Sequence, residues 1–406
     1  MSYRLATLLL FFAVTITHAE DWAQWLGPNR DGVSSTKVAP WKGELKTLWS
    51  KPVGEGNSSP VVADGLVYIH AKVKGKDVET VQAFDAKSGD LKWEQSYEKT
   101  PFKPFYGEGP RATPTVSKGK VFTFGNTGVL ACWDAKTGKP DWKIDVLENP
   151  KVDNLFFGLS ASPLVVGEAV IVQGGGKGTK GLRAFNRETG KALWTAGDDA
   201  ASYAAPIFTK NEIVALTGAN LVGISAKGEM RWKYPFKDSL NESSTTPIQV
   251  GDLYICSSVK AGAAGVRIVE ESDKATVKEV WKNEKLTCYF STPISVDKDH
   301  LYMVTGVASL TGATITLRCV ETATGKEVWN KPKIGKFHAA LLKLSDGKLL
   351  MHDDTGNLTL LAPNVKEYEE LAKAKVCGST WAHPALSNGV IFVRDDKEIR
   401  ALKLGE

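Results

Sequence analysis

A turn phrase ending in Ser/Thr-Gly, followed by a tryptophan-bearing strand, returns along this chain and limits its fold more than any other feature. The clearest copy runs Asp85-Ala86-Lys87-Ser88-Gly89 into Leu91-Lys92-Trp93. Variants stand at Asp134-Ala135-Lys136-Thr137-Gly138, Asn186-Arg187-Glu188-Thr189-Gly190 and Glu321-Thr322-Ala323-Thr324-Gly325. The tryptophans fall at Trp93, Trp142, Trp194, Trp232, Trp281 and Trp329. A second landmark is a proline that opens a strand, a tight turn and another strand, as in Ser59-Pro60-Val61-Val62-Ala63-Asp64-Gly65-Leu66. It recurs at Pro114, Pro163, Pro206, Pro247, Pro293 and Pro384, with Leu341 filling the one gap. Intervals of about 40–50 residues with four strand signals each are what propeller blades require.

The reasons are local. Glycine after Ser/Thr permits the positive φ of a tight hairpin, and Asp and Thr side chains bond the turn's own backbone. A tryptophan on each outer strand is large and flat enough to cover the gap to the next blade. The last unit, Pro384 to Leu404, has three strands, and the strand it lacks is present at Lys46-Thr47-Leu48-Trp49-Ser50. Pairing these segments would protect two open edges. The expected fold is therefore all-β: an eight-bladed propeller of four-stranded antiparallel blades, closed by an N-terminal strand. Seven blades is the alternative, because Leu358 to Lys375 lacks its tryptophan.

With 51 basic and 46 acidic residues among 406, the basic groups are scattered and leave no nucleic-acid footprint. Arg4, the apolar stretch Leu5 to Ile16 and Thr17-His18-Ala19 form the pattern of a signal peptide cut after Ala19. That stretch is shorter than the roughly 20 residues a spanning helix needs. The expected organisation is a leader at 1–19, an extension packing on the propeller at 20–45, and one propeller domain at 46–406. The expected compartment is the periplasm or the exterior, with no transmembrane segment in the mature, monomeric chain. Cys132, Cys256, Cys288, Cys319 and Cys377 share no CxxC spacing, and one disulfide is permitted but not required.

On these residues the chain resembles the quinoprotein-type propellers, whose outer strands carry a docking motif ending in Thr-Gly-x-x-x-Trp. Gly109-Pro110-Arg111-Ala112-Thr113-Pro114, Trp381-Ala382-His383-Pro384 and the opening Trp22-Ala23-Gln24-Trp25-Leu26-Gly27-Pro28 are similar to the exported PQQ-binding-like propeller proteins of environmental bacteria. The resemblance implies two directions. Quinoprotein alcohol dehydrogenases bind pyrroloquinoline quinone (PQQ) with calcium over the channel, using adjacent cysteines and a catalytic Asp; this chain has no Cys-Cys pair. The outer-membrane assembly lipoproteins bind a protein partner and no cofactor; their lipidated cysteine is absent after the expected cut.

In such a ring the segments leading into each proline landmark supply the ligand face. The candidate binding residues are Asn57 and Ser58; Tyr106, Glu108 and Arg111; Phe156 and Phe157; Tyr203; Asn241 and Glu242; Tyr289 and Phe290; His338; and Trp381 and His383. Aromatics with a few convergent polar groups suit a small molecule, and equally suit channel packing. Arg111 would pair with a ligand carboxylate or with Glu108 or Glu242. His338 and His383, entering adjacent blades, are candidate acid/base groups or metal ligands, or structural. The glycine run Gly174 to Lys180 lacks phosphate-loop spacing and reads as a hairpin loop. Asp198-Asp199, Asp353-Asp354 and Asp395-Asp396 lack calcium-loop spacing and read as solvated. No catalytic set emerges. The expected function is a binding or scaffold module for a protein or polymer. The alternative is a PQQ-dependent oxidoreductase of alcohol or sugar dehydrogenase type.

Overall fold

Each proline landmark starts the innermost strand of a four-stranded antiparallel sheet, where the missing N–H costs no ladder bond. In blade I the strands are Val61–Ala63, Leu66–Lys72, Val78–Asp85 and Leu91–Glu98, numbered outward from the channel. Blades II to VII repeat this order over residues 115–145, 164–196, 207–235, 248–283, 294–332 and 339–375. The structure, a computed structural model, describes residues 20–148, 152–176, 181–271, 274–306 and 314–405. The expected leader and the end of the glycine run, 177–180, lie outside them.

Among the described residues there are 32 strands in eight sheets and no helix, so the count is eight blades and not seven. Leu341, the stand-in for a proline, lies inside the strand Ala339–Lys343. Blade VIII contains Ala385–Ser387, Val390–Arg394 and Glu398–Lys403, and its outer strand is Lys46–Pro52 from the other end of the chain. There Thr47 pairs with Leu402 and Trp49 with Ala401.

Tryptophan docking joins the blades. Trp49 donates its indole N–H to the Ala86 carbonyl of the next blade at 3.0 Å, Trp93 to Ala135 at 2.9 Å, and Trp142 to Arg187 at 3.0 Å. Trp194 reaches Ala226 and Trp281 reaches Thr322 in the same way. The ring then lies over the turn glycine. A Cβ on Gly89 would stand 2.7 Å from the Trp49 indole, and one on Gly138 2.5 Å from that of Trp93. Trp232 departs from the pattern and donates to Glu212 at 2.8 Å within its own blade.

Opposite each indole stands a small residue: Ala83, Cys132, Ala184, Gly223, Gly265, Cys319 or Ala401. A register shift follows beside each of these pairs. Blade VII reverses the sizes, with Leu360 facing Ala372. The reason is topological. The turn on which a blade VII indole would dock is the place in blade VIII where the chain's two ends meet. Trp41, Leu45 and Leu404 share one core cluster there with Leu360 and Ala372.

The hydrophobic core is divided among the gaps between blades. One cluster joins blades I and II, another II and III, and so around the ring, until a single larger cluster spans VII, VIII and I. All five cysteines are free, buried thiols, so the permitted disulfide is not formed. The expectation of solvated acidic pairs fails for two of the three. Asp353, Asp354 and Asp395 are buried because their oxygens hold loop N–H groups. Asp354 accepts from Lys336 at 2.9 Å and Phe337 at 2.7 Å, and Asp395 from Gly378 at 2.9 Å.

Residues 20–45 cross the channel. Trp22 pairs with Val62 of blade I, and the Ala23 carbonyl accepts from Val116 of blade II. The fully buried Arg30 donates to the Pro163 and Ser162 carbonyls of blade III at 2.7 and 3.0 Å. Trp25 donates to Thr246 Oγ1 of blade V at 2.9 Å, and Val33 pairs with Lys343 of blade VII.

Candidate functional site

The residue before each landmark proline begins the site. In blades VIII, I and II its backbone N–H is met by a hydroxyl of the neighbouring blade. His383 N donates to Ser59 Oγ at 2.9 Å, Ser59 N to Thr113 Oγ1 at 3.2 Å, and Thr113 N to Ser162 Oγ at 2.9 Å. This hydroxyl belt ties blades VIII, I, II and III together. In it His383 stands where the other three carry Ser or Thr.

Above the belt the crossover loops enclose a cavity, open to solvent, with about 120 Å³ of space for water-sized groups. Six rings form an unbroken wall. Tyr203 packs on Phe157 at 5.8 Å between centroids, Phe157 on Tyr106 at 6.0 Å, and Tyr106 on Trp381 at 5.3 Å. Trp381 then meets Phe290 at 5.1 Å, and Phe290 stacks on Tyr289 at 3.8 Å. The Tyr289 hydroxyl ends the run by donating to Glu242 at 2.5 Å. Phe105 and Phe156 stack outside this wall with 69% and 68% of their surface exposed, so the mouth has an apolar lip.

Arg111 lies in the lining but pairs with neither Glu108 nor Glu242. One terminal nitrogen donates to the Phe157 carbonyl at 2.7 Å. The other is shared among the carbonyls of Phe105, Tyr106 and Gly107 at 3.0, 3.4 and 3.1 Å. Burial brings its pKa down to about 10, with Tyr203 opposing, and it stays charged at neutral pH. Its role is to clamp two loops.

His383 and Trp25 form the floor, their rings 4.3 Å apart. Only 4% of His383 is exposed, and neither ring nitrogen has a hydrogen-bond partner. The Phe290 carbonyl acts on the ring without reaching bonding geometry. Burial, and then His352, push its pKa down to about 3, so the imidazole is neutral. His338 packs behind it at 5.0 Å, also held neutral by burial, and its Nδ1 lies 3.3 Å from Ser291 Oγ. That serine is buried and accepts the Ala339 N–H, so the pair is no exposed nucleophile. Among the described residues no group of three His, Cys, Asp or Glu side chains could hold a metal ion.

The cavity thus brings together Asn57, Tyr106, Arg111, Phe157, Tyr203, Glu242, Tyr289, Phe290, Trp381 and His383. Ser58, Phe156, Asn241 and His338 do not line it. Asn241 is exposed at a positive φ of 55° on the turn that follows Asp238. Glu108 faces an adjoining polar hollow, where it meets the buried Lys72 Nζ at 3.1 Å. Sequence reasoning missed Trp25, Ser160, Ser162 and Ser244 in the lining. Ser162 was recoverable from its place before Pro163. Trp25 was not, since nothing local says which blade an extension reaches.

Comparison with known proteins fits this architecture. A family profile described as "Outer membrane protein assembly factor BamB" matches residues 42–105 and 79–331, well over half of the chain. The chain belongs to that family. A curated BamB-family relative, the outer membrane protein assembly factor BamB of Burkholderia pseudomallei, is 23% identical over 289 residues, 60% of this chain and 70% of its own. The quinohemoprotein alcohol dehydrogenase ADH-IIG of Pseudomonas putida is 30% identical over 162 residues. That match takes in 37% of this chain and 21% of the dehydrogenase, so the chain spans about a fifth of that relative's length. Among solved structures, a quinohemoprotein alcohol dehydrogenase from Comamonas testosteroni superposes with a TM-score of 0.68 at 14% identity, covering 94% of this chain and 80% of its own. This BamB-family ring therefore has the fold that assembly factors and dehydrogenases share. No described helix is long and apolar enough to cross a membrane.

Proposed function

We propose that this protein is an exported, monomeric binding propeller that receives its ligand or partner at the channel mouth. One observation carries the reading: an unbroken aromatic wall stands over a buried imidazole whose two nitrogens are unpaired, with no reacting pair beside it. Such a hollow is built to hold a ring or side chain and to position it by a few polar contacts. Export is supported by the apolar leader pattern at residues 5–16 and by the outer-membrane role in the names of the assembly-factor relatives.

The second reading, a PQQ-dependent oxidoreductase, is favoured by the similarity to quinohemoprotein alcohol dehydrogenases. PQQ is a planar polycarboxylate that needs cationic donors, and calcium needs clustered oxygen ligands. The cavity's donor set does not fit them. Arg111, the one cationic side chain in the lining, is turned to main-chain carbonyls, and Glu242 is the one carboxylate there, so no cluster of oxygen ligands for calcium is present in the lining.

A thermal-shift and tryptophan-fluorescence series on the mature chain, with saccharide and peptide probes, tests the binding reading. A ligand at a hundred times its Kd stabilises by about 2.7 kcal/mol, which such a series resolves. We expect the responding class to lose its effect in Trp381→Ala and Tyr203→Ala. A response indifferent to both substitutions would move the site off the channel mouth.

A further inference from the structure

We propose that the cavity is a saccharide seat, in which a neutral, hydroxyl-rich ring lies against the aromatic wall and hydrogen-bonds to His383. This rests on the binding reading above and narrows it to one ligand chemistry. A buried polar group with no partner is uncommon in a finished structure and points to something that completes it. A neutral imidazole offers one donor and one acceptor, and a hydroxyl can accept from the one or donate to the other.

The rest of the lining agrees. Ser160 Oγ donates to Gly158 at 3.1 Å, and Ser244 Oγ donates to the Tyr289 carbonyl. Each keeps acceptor capacity for a hydroxyl donor, and Glu242 adds another acceptor. Trp381 and its neighbouring rings present faces suited to the C–H surface of a pyranose through dispersion and weak C–H contacts.

Two other ligand classes are disfavoured by the same contacts. A carboxylate or phosphate would look to Arg111, whose terminal nitrogens already serve four carbonyls. A peptide main chain would look to those same carbonyls of Phe105, Tyr106, Gly107 and Phe157, which are turned to the guanidinium. A hydroxylated neutral ring needs neither.

The test is calorimetric titration of the mature chain with maltose, cellobiose and diacetylchitobiose, with digalacturonic acid as the charged control and a short unbranched peptide as the polymer control. We expect at least one neutral disaccharide to bind saturably and the uronide at least tenfold more weakly. Trp381→Ala should weaken the sugar at least tenfold. So should His383→Thr, which restores the residue type of the belt and keeps its N–H bond to Ser59. Leu193→Ala on an outer strand, and the thermal midpoints of all variants, control for folding. Tighter binding of the uronide, or no saturable response to any sugar at millimolar concentration, overturns the saccharide inference. Peptide binding that depends on Trp381, without sugar binding, overturns it and leaves the binding reading standing. Stoichiometric PQQ uptake overturns both.

Discussion

Tryptophan and glycine act as a pair across five of the blade boundaries: the indole N–H satisfies a turn carbonyl, and the ring occupies the space a side chain on the glycine would need. Gly138 has φ +73°, and its missing Cβ would sit 2.5 Å from the Trp93 ring. Gly65 has φ +76° with nothing within 4 Å. Changing Gly65 to Ala should cost only the backbone strain, about 1 kcal/mol. Changing Gly138 to Ala adds overpacking and should cost about 2–4 kcal/mol. Urea melts of both variants give the difference, and equal losses would mean that the indole does not press on the turn. This pairing was legible in the sequence because Thr-Gly and Trp recur at fixed offsets. The fate of Arg111 was not. Its partners are main-chain carbonyls, which every residue carries, so no side-chain pattern announces them. Asp354 and Asp395 were misread for the same reason: loop N–H groups hold them, and these leave no mark in the sequence.

Among the elements, blade VII is the informative exception. Its missing tryptophan made the eighth blade ambiguous in the sequence, yet the topology accounts for it, because the docking turn of blade VIII is interrupted by the chain ends. Leu360 then fills the space that an indole takes elsewhere, opposite Ala372. Leu360→Ala should cost about 2–5 kcal/mol as a cavity mutation. Ala372→Trp alone should also destabilise, by overpacking. The double substitution should recover part of both losses, with a coupling energy of about 0.5–3 kcal/mol in a double-mutant cycle. Strict additivity would show that the two positions do not share one space. The extension at 20–45 was legible as a Trp-, Gly- and Pro-rich segment packing on the ring, but not which blades it would reach, since its contacts are spread over blades I, II, III, V, VII and VIII.

For the whole molecule, three buried neutral histidines beside the channel couple stability to pH. Burial lowers His338 well below 6.5, His352 to about 4 against the opposing charge of Asp353, and His383 to about 3. Below pH 6.5 the unfolded chain takes up protons that the folded one refuses. The histidines' contribution is therefore fully present above pH 6.5 and declines as pH falls toward 3–4. Each contributes a slope of up to about 1.4 kcal/mol per pH unit. His383→Thr should reduce the slope of unfolding free energy between pH 6 and 5 by about that amount, measured by urea melts. An unchanged slope would show that His383 is protonated in the fold.

The same neutrality underlies the proposed function: a floor without charge, an arginine turned to main-chain carbonyls and a wall of rings support the reading as a seat for a ligand. The most direct test is calorimetric titration of the mature chain with PQQ and calcium, followed by a dye-linked alcohol oxidation assay. We expect no stoichiometric uptake and no oxidation. One PQQ bound per chain, with alcohol-dependent dye reduction, would contradict the account.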